Sequence, residues 1–478
     1  MASGLAAKIV DICILIVLAR LLSPADFGLV AMAMTLVVVI ETIFNIPIGS
    51  GILRAKVVSK ASCDTAFTLA FLRGTLVGVL LLGLSFPVSR YFGDARLLSL
   101  CWVIAVAPVV RGLVNPRVFL LQRRLDFRFS AYFKLIGKLL SAAIAISVAV
   151  FTKSYWAIAI VTLVTPCVLF IGSYLFVSYR PRFSLLKLSD FSDIVGWSTL
   201  NQLFSALNWQ SDRFVLGGVV PADMFGRYSM SANLANLPAQ IFVAPLGQII
   251  NASFGKIKDR DNLKRAYLKS SQLVCFLVTP LLLLGACYSR PILLGLFPEG
   301  WDEAIKIFSC LCLIGLVALP TRTFPAAAMH LRVLRVVTVS SLVEFVCRIV
   351  LLAILVRSAG IDGAIYAGFS ATCIRLGMTM YFTKKIFFLS FKSQTAIHIR
   401  TVVSGIVLVC TSFYFLDSID YSNTGSIFLS TFPGVAVSLF VYFAVAFTLW
   451  SLCSKPDGSE RVLFNLFRSF GNRIVRVV

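Results

Sequence analysis

Long apolar runs follow one another through nearly the whole of this 478-residue chain. There are about fourteen, each near the roughly twenty residues a helix needs to cross a hydrocarbon layer of about 30 Å. In hydrocarbon every backbone polar group must be satisfied from within, so runs this long and this apolar fold as helices. The expected fold is therefore an all-α polytopic membrane protein of about fourteen transmembrane helices, with little chain left for a soluble domain. The first run, Leu5 to Leu22, contains Lys8, Asp11 and Arg20 and is followed by Ser23-Pro24-Ala25-Asp26, not by a small-residue cleavage site. It reads as a retained first span.

Composition removes several function classes. The chain is 59% hydrophobic and 14% charged, with a net charge of +23. Such a charge on a soluble fold would suggest nucleic acid, but here Lys and Arg sit mostly in short links between apolar runs, so no nucleic-acid partner is expected. The 12 cysteines are scattered singly, and the one close pair, Cys310 and Cys312, lacks a second ligand pair. No zinc site, disulfide framework or cofactor is expected; cysteine here is a small apolar packing residue.

The links alternate in sign. Even ones carry Arg54, Lys56 and Lys60, then Arg123, Arg124 and Arg128, and later Lys256, Arg260, Lys264 and Arg265, Arg332 and Arg335, and Lys384, Lys385 and Lys392. Odd links carry mainly carboxylates: Asp26, Asp94, Asp223, Glu299, Asp302, Glu303, Asp362, Asp417 and Asp420. This places the even links and both termini in the cytoplasm, with anionic membrane lipids as counter-charge. After Lys455, Val462, Leu463, Leu466, Phe467, Phe470 and Ile474 share one helical face, opposite Arg461, Arg468, Arg473 and Arg476. That tail reads as a basic amphipathic helix on the cytoplasmic leaflet, with a partner-binding helix as the other reading.

A short motif occurs twice. Pro24-Ala25-Asp26-Phe27-Gly28 opens the second run, and Pro221-Ala222-Asp223-Met224-Phe225-Gly226 opens the eighth. Pro and Asp suit a helix start, where Pro lacks no needed donor and Asp caps free amides and meets the positive end of the dipole. Copies six spans apart suggest parallel repeats: six-helix bundles over 1–190 and 191–385, an appended helix pair over 386–454, and the tail over 455–478. The stretch Leu18-Ala19-Arg20-Leu21-Leu22-Ser23 through Gly28-Leu29-Val30-Ala31 resembles the opening of Wzx-like polysaccharide transporters. These are the lipid-linked oligosaccharide flippases of the multidrug/oligosaccharidyl-lipid/polysaccharide exporter superfamily. Asn208-Trp209-Gln210-Ser211-Asp212-Arg213 through Gly226-Arg227-Tyr228-Ser229 is similar to the start of that family's second half. Met224 is a departure, an extra residue that leaves the start of the eighth helix open. The resemblance implies a transporter of the bacterial inner membrane, a polyprenyl-diphosphate-linked oligosaccharide as substrate, and a polysaccharide polymerase and export machinery as downstream partners.

Charges within the apolar runs are the candidate site. A charge deep in a bilayer needs a partner or water, and the set Asp11, Glu41, Arg73, Arg111, Lys134, Lys138, Asp212, Arg213, Arg322, Glu344, Arg348 and Arg375 holds twice as many cations as carboxylates. A water-filled cavity with surplus positive charge accounts for the imbalance and suits a diphosphate, which Arg binds bidentately and Lys as a point charge. Substrate-cavity candidates are Arg73, Arg111, Lys134, Lys138, Arg348 and Arg375. Arg73 and Arg111 either line the cavity or pair with Glu41, and Lys134 and Lys138 either snorkel to headgroups or form a cytoplasmic collar. Coupling or gating candidates are Glu41, Asp212, Arg213, Arg322 and Glu344. Glu344 and Arg348, one turn apart, form either an internal lock or a substrate or ion site. The resemblance makes Asp212-Arg213 a contact between halves; the alternative is a cation-coupling carboxylate. Arg322, between Pro320 and Pro325, sits at a kink that is either a moving element or plain packing.

Three functions compete. A flippase working by alternating access fits the cationic cavity. A cation-coupled drug exporter of the same superfamily would want carboxylates there. A membrane glycosyltransferase, polymerase or ligase would want carboxylates or His on a sizeable outer loop, whereas His330 and His398 both fall near the cytoplasmic side. The chain is therefore expected not to be an enzyme, and without a P-loop it is not expected to hydrolyse ATP. The outer cluster Glu299-Gly300-Trp301-Asp302-Glu303 is read as a helix cap with an interfacial Trp, the other reading being a divalent-ion site.

Overall fold

The computed structural model describes residues 2–45, 48–49, 52, 58–124, 126, 128–188, 197–257 and 259–453. Every regular element among them is helical. Nine helices are long and apolar enough to cross a membrane, from Pro24–Ile43 to Thr424–Leu452. The other expected runs fall on shorter, broken or less apolar helices, so the count of fourteen rests on the sequence. The boundary expected at 190 and the amphipathic tail lie outside the described residues.

Two compact units emerge. The first comprises Met1–Ser229 with Leu352–Ala364, the second Met230–Leu351 with Ile365–Val478. In the first, α1 (Ala2–Leu21) lies on α7 (Arg128–Thr152) through Ile14, Leu18, Leu22, Ala145 and Ala149. α2 (Pro24–Ile43) begins in a capping box: Ser23 Oγ accepts from the Asp26 amide at 3.3 Å, and Asp26 Oδ2 accepts from the Ser23 amide at 3.1 Å. Ser23 is thus the cap and Asp26 its reciprocal partner. α3 (Lys60–Phe92) is followed by a broken run, α4 (Arg96–Ile104), α5 (Val106–Gly112) and α6 (Val118–Arg123), and beyond α7 by α8 (Trp156–Phe176). α9 (Trp197–Gly217) packs beside α2, and α10 (Ala222–Ala235) follows it.

Glycine sets how closely α3 and α5 approach. On α3 a Cβ at Gly74 would lie 2.4 Å from the Pro108 carbonyl oxygen of α5, and one at Gly112 would lie 2.5 Å from that of Ala70. Gly78 follows Gly74 at the four-residue spacing that lets membrane helices touch through their backbones.

The second repeat copy starts one residue later than the first. α10 begins at Ala222, so Gly226 is its fifth residue as Gly28 is the fifth of α2. The added Met224 is absorbed by moving the helix start past Pro221, and Asp223 enters the first turn, 3.4 Å from Arg227.

In the second unit α10 gives way to a π turn (Ala239–Val243) and α11 (Ala244–Phe254), then α12 (Arg260–Cys287) and the short α13 (Ser289–Leu296). α14 (Asp302–Ala318) and α15 (Phe324–His330) are joined by a 3-10 turn at Leu319–Thr321, where the Pro-rich sequence predicts a kink. α16 (Leu334–Phe387) is two arms joined through Gly360, whose φ of 55° and ψ of −127° break the helix. After α17 (Phe391–Ala396), α18 (Ile399–Leu416) and α19 (Thr424–Leu452) pack on α12 around Phe276, Tyr288, Leu408 and Tyr442. The Tyr442 hydroxyl donates to the Phe276 carbonyl at 2.9 Å, which removes a buried unpaired group from that core.

At the acidic cluster over residues 299–303 the structure corrects one expectation. Trp301 is buried and stacked on Phe297, ring centroids 4.9 Å apart, and is not an exposed interfacial anchor. Asp302 and Glu303 occupy the first turn of α14, facing its dipole, and no side chain caps that helix. Among the described residues no group of His, Cys, Asp and Glu is arranged to hold a metal ion.

Candidate substrate-binding sites

The α3–α5 crossing builds the first site. Arg73 precedes Gly74 and Arg111 precedes Gly112, so backbone contact at the two glycines carries the two arginines to one cavity. That cavity, about 90 Å³, is lined by both arginines together with Glu41 of α2. Arg111 holds Glu41 bidentately, Nη2 to Oε1 at 2.8 Å and Nη1 to Oε2 at 3.0 Å. Arg73 Nη2 donates to the Glu41 main-chain carbonyl at 3.1 Å, and its buried Nε has no partner. Of the two readings for these residues, the pairing with Glu41 is what Arg111 makes, and the pair lies in the wall of this small cavity. With one carboxylate against two guanidinium groups, the site keeps a net positive charge.

A second cluster forms inside the second unit. Arg375 Nη1, on the later arm of α16, donates to Glu344 Oε2 on the earlier arm at 2.7 Å, and the Glu344 side chain is only 7% exposed. Arg322, at the kink between α14 and α15, is in electrostatic reach of both. Arg348, one turn beyond Glu344, reaches across to Gly368, where a Cβ would lie 3.0 Å from its Nη2. The fold thus gathers four candidates from three separate runs, three of them cationic. Glu344 and Arg348 share a face as their spacing predicts, but the partner that spacing does not name is Arg375.

The remaining candidates are dispersed. Asp212 and Arg213 are both buried in α9; Asp212 Oδ2 accepts from the Tyr228 hydroxyl at 2.8 Å, and the Arg213 guanidinium carbon lies 5.5 Å from the Trp209 ring centroid. Lys138 pairs with Asp11 on α1, while Lys134, one turn earlier, is exposed. Opposite charges in the first and fifth runs are the signal that finds the Lys138 partner. Tyr228 was not singled out from the sequence, and only its place in the second motif copy points to it.

Sequence reasoning also passed over a polar clasp. Asp64, buried in the first turns of α3, accepts from the Tyr179 hydroxyl at 2.5 Å and from the Arg182 amide at 3.3 Å. Asn115 is fully buried and donates to the carbonyls of Ser173 (3.2 Å) and Val177 (2.8 Å). Both tie the segment after α8 to the rest of the unit. A lone Asp or Asn in an apolar stretch is the only sequence signal for them.

The model of a family described as polysaccharide biosynthesis protein matches residues 17–306. The chain is 26% identical over 319 residues to the succinoglycan biosynthesis transport protein ExoT of Rhizobium meliloti (strain 1021), covering 64% of this chain and 63% of that one. It is 24% identical over 312 residues to the lipopolysaccharide biosynthesis protein WzxC of Escherichia coli (strain K12), covering 63% and 62%. The alignments thus span somewhat under two thirds of these relatives' own length. Among solved structures, the lipid II flippase MurJ in an inward closed conformation superposes with a TM-score of 0.72 at 12% identity, covering 94% of this chain and 98% of that one. An inward-facing multidrug resistance transporter of the MATE family gives 0.59 at 14% identity, covering 80% and 96%. Such low identities show the fold alone: the all-helical membrane-protein fold shared with these two chains. With more than half of its length under the family model, this chain belongs to the polysaccharide biosynthesis protein family.

Proposed function

We propose that this chain flips a polyprenyl-diphosphate-linked oligosaccharide repeat unit from the cytoplasmic to the outer leaflet of the bacterial inner membrane, for exopolysaccharide or cell-surface polysaccharide synthesis. The observation that carries this reading is the charge balance of the two clusters: Glu41 with Arg73 and Arg111, and Glu344 with Arg322, Arg348 and Arg375. Each sits within apolar helices and each has more guanidinium than carboxylate. A diphosphate is the ligand such a surplus favours, since Arg donates two parallel hydrogen bonds to phosphate oxygens. Names carried by the relatives, a succinoglycan transport protein and a lipopolysaccharide biosynthesis protein, support the same substrate class.

In this reading Arg73 and Arg111 take the diphosphate, with Arg111 exchanging the Glu41 carboxylate for phosphate oxygen. The sugar occupies water-filled space and the lipid tail stays in the bilayer. The halves 1–190 and 191–385 then alternate in exposing the cavity, driven by an ion gradient or the membrane potential, with both termini in the cytoplasm. Asp212 and Arg213 serve gating or coupling, and a polymerase and export machinery consume the product. A cation-coupled drug exporter would need the opposite sign of surplus charge. A glycosyltransferase, polymerase or ligase would need a catalytic carboxylate or His on an outer loop.

The test is the leaflet location of the lipid-linked oligosaccharide in cells lacking the chain, read with a membrane-impermeant sugar-labelling reagent. Flipping predicts that the intermediate accumulates protected inside, and that Arg73→Ala or Arg111→Ala fails to restore export although the protein is present in the membrane. An intermediate exposed outside but left unpolymerised would sink the proposal and point to enzymatic chemistry.

A further inference from the structure

A groove in the second unit lies apart from both arginine clusters. It forms where four helix ends meet: the start of α12 at Arg260, the end of α15 at His330, the start of α16 at Leu334 and its end at Phe387. Helices that span a bilayer end at its surface, so this convergence marks the headgroup level. The groove encloses about 480 Å³. Its wall is apolar, made by Leu263, Val333, Val336, Phe382 and Ile386. These rest on the core of Tyr267, Phe324 and Phe387 and are held in place from behind.

Its charged groups are mostly cationic. Arg260, Lys385 and His330 line it together with a single carboxylate, Asp259, and that carboxylate caps α12, accepting from the Asn262 amide at 2.9 Å. His330 Nε2 donates to the Ile257 carbonyl at 2.9 Å. Arg260 donates to the Ile386 carbonyl and lies 5.5 Å from the Phe388 ring centroid, which orients it and leaves further N–H groups unspent. Lys385 is exposed and has no protein partner among the described residues.

We infer that this groove binds one anionic phospholipid of the bilayer, of the phosphatidylglycerol or cardiolipin class. Its phosphate sits between Arg260 and Lys385, and an acyl chain lies along Val333, Val336 and Phe382. Three features select this occupant. The helix ends put the cations at headgroup depth. The apolar wall runs inward from them, as a lipid's chain runs from its phosphate. The one acidic group is engaged in capping and is outnumbered by Arg260 and Lys385, so the groove keeps a net positive charge, and basic pockets between membrane helices hold such headgroups. A basic peptide fails on charge, and a soluble anion would leave the apolar wall wet. The inference needs only that the chain spans a membrane and is independent of what it transports.

The experiment is native mass spectrometry of the purified full chain in neutral detergent, titrated in turn with phosphatidylglycerol and phosphatidylcholine. One phosphatidylglycerol is expected to bind in clear preference to phosphatidylcholine. Arg260→Ala/Lys385→Ala should weaken it about thirtyfold, from roughly fivefold per cation near a membrane surface. Val336→Trp, which fills the wall and leaves every charge in place, should weaken it comparably. Lys264→Ala/Arg265→Ala, on the same helix but outside the groove, should bind as the unaltered chain does. Equal binding of the two lipids overturns the inference, as does undiminished binding by the first two variants. Displacement of phosphatidylglycerol by an equimolar polyprenyl phosphate also overturns it, because the groove would then belong to the transported lipid.

Discussion

Gly28 and Gly226 face each other's helix starts reciprocally. A Cβ on Gly28 would lie 1.8 Å from the Ala222 carbonyl oxygen, and one on Gly226 would lie 1.9 Å from that of Pro24. The two copies of the short motif therefore touch backbone to backbone, each supplying the glycine that the other's first turn needs. Gly28→Ala and Gly226→Ala each force the helix starts apart, at about 1–3 kcal/mol of overpacking. Export should fall sharply while the protein stays in the membrane. Because both act on one contact, the double variant should cost clearly less than the two single costs summed, read by thermal unfolding in detergent. Full additivity would mean that the two glycines do not share an interface.

The Glu344–Arg375 pair separates a structural lock from a substrate site. Arg375→Ala leaves Glu344 buried without this partner and should cost about 3–5 kcal/mol. Arg375→Gln/Glu344→Gln removes both charges and should recover most of that stability. Export should remain lost in the double variant if Arg375 binds substrate, and return if the pair is only a lock. Melting temperature and polysaccharide export, measured on the same variants, give the answer.

Asn115 is a purely structural test of the clasp behind α8. Its amide nitrogen serves two carbonyls, and its Oδ1 accepts from the Arg117 amide at 2.9 Å. Asn115→Ala removes all three bonds and leaves the half-buried Val177 carbonyl and Arg117 amide without this partner, while the Ser173 carbonyl keeps the Val177 amide; it should lower stability by about 1–3 kcal/mol. Asn115→Asp, which keeps the shape and turns donors into acceptors, should be no better tolerated. Normal melting of both would show that water replaces these bonds.

His398, just ahead of α18, titrates well below its usual range. Burial in a pocket lined by Tyr267, Leu376, Met380 and Gln394 pushes its imidazole down from 6.5 to about 4, and its Nδ1 has no partner. The unfolded chain therefore binds a proton between pH 6.5 and about 4 that the folded one refuses. Its contribution to stability is complete above 6.5 and declines as pH falls toward 4. His398→Gln should flatten that part of the melting-temperature profile relative to the unaltered chain. An unchanged slope would place the titration elsewhere.

The sequence makes the helices legible because hydrocarbon imposes one length and one backbone solution on every span. It also exposes the twin motifs and the intramembrane charges, each conspicuous against its apolar surroundings. Which charge meets which is set by helix packing and is much less legible. Glu344 and Arg348 are neighbours by spacing, yet Arg375 reaches Glu344 because the arms fold back at Gly360, and no local pattern encodes that approach. Trp301 misleads for a related reason. An aromatic beside acidic residues at a span's edge looks interfacial, until Phe297 covers it. Asp64 and Asn115 stay silent because a single polar residue has no periodicity to read.

The α3–α5 crossing has a consequence for how such a chain evolves. Main chain against main chain spaces Arg73 and Arg111, so neighbouring side chains can be exchanged without moving the two cations apart. Under the proposed function, recognition of the constant part of the cargo is thereby insulated from drift in the residues that meet its variable sugars. A lineage built this way can adopt a new polysaccharide without rebuilding its anion site, provided that Gly74 and Gly112 stay in place.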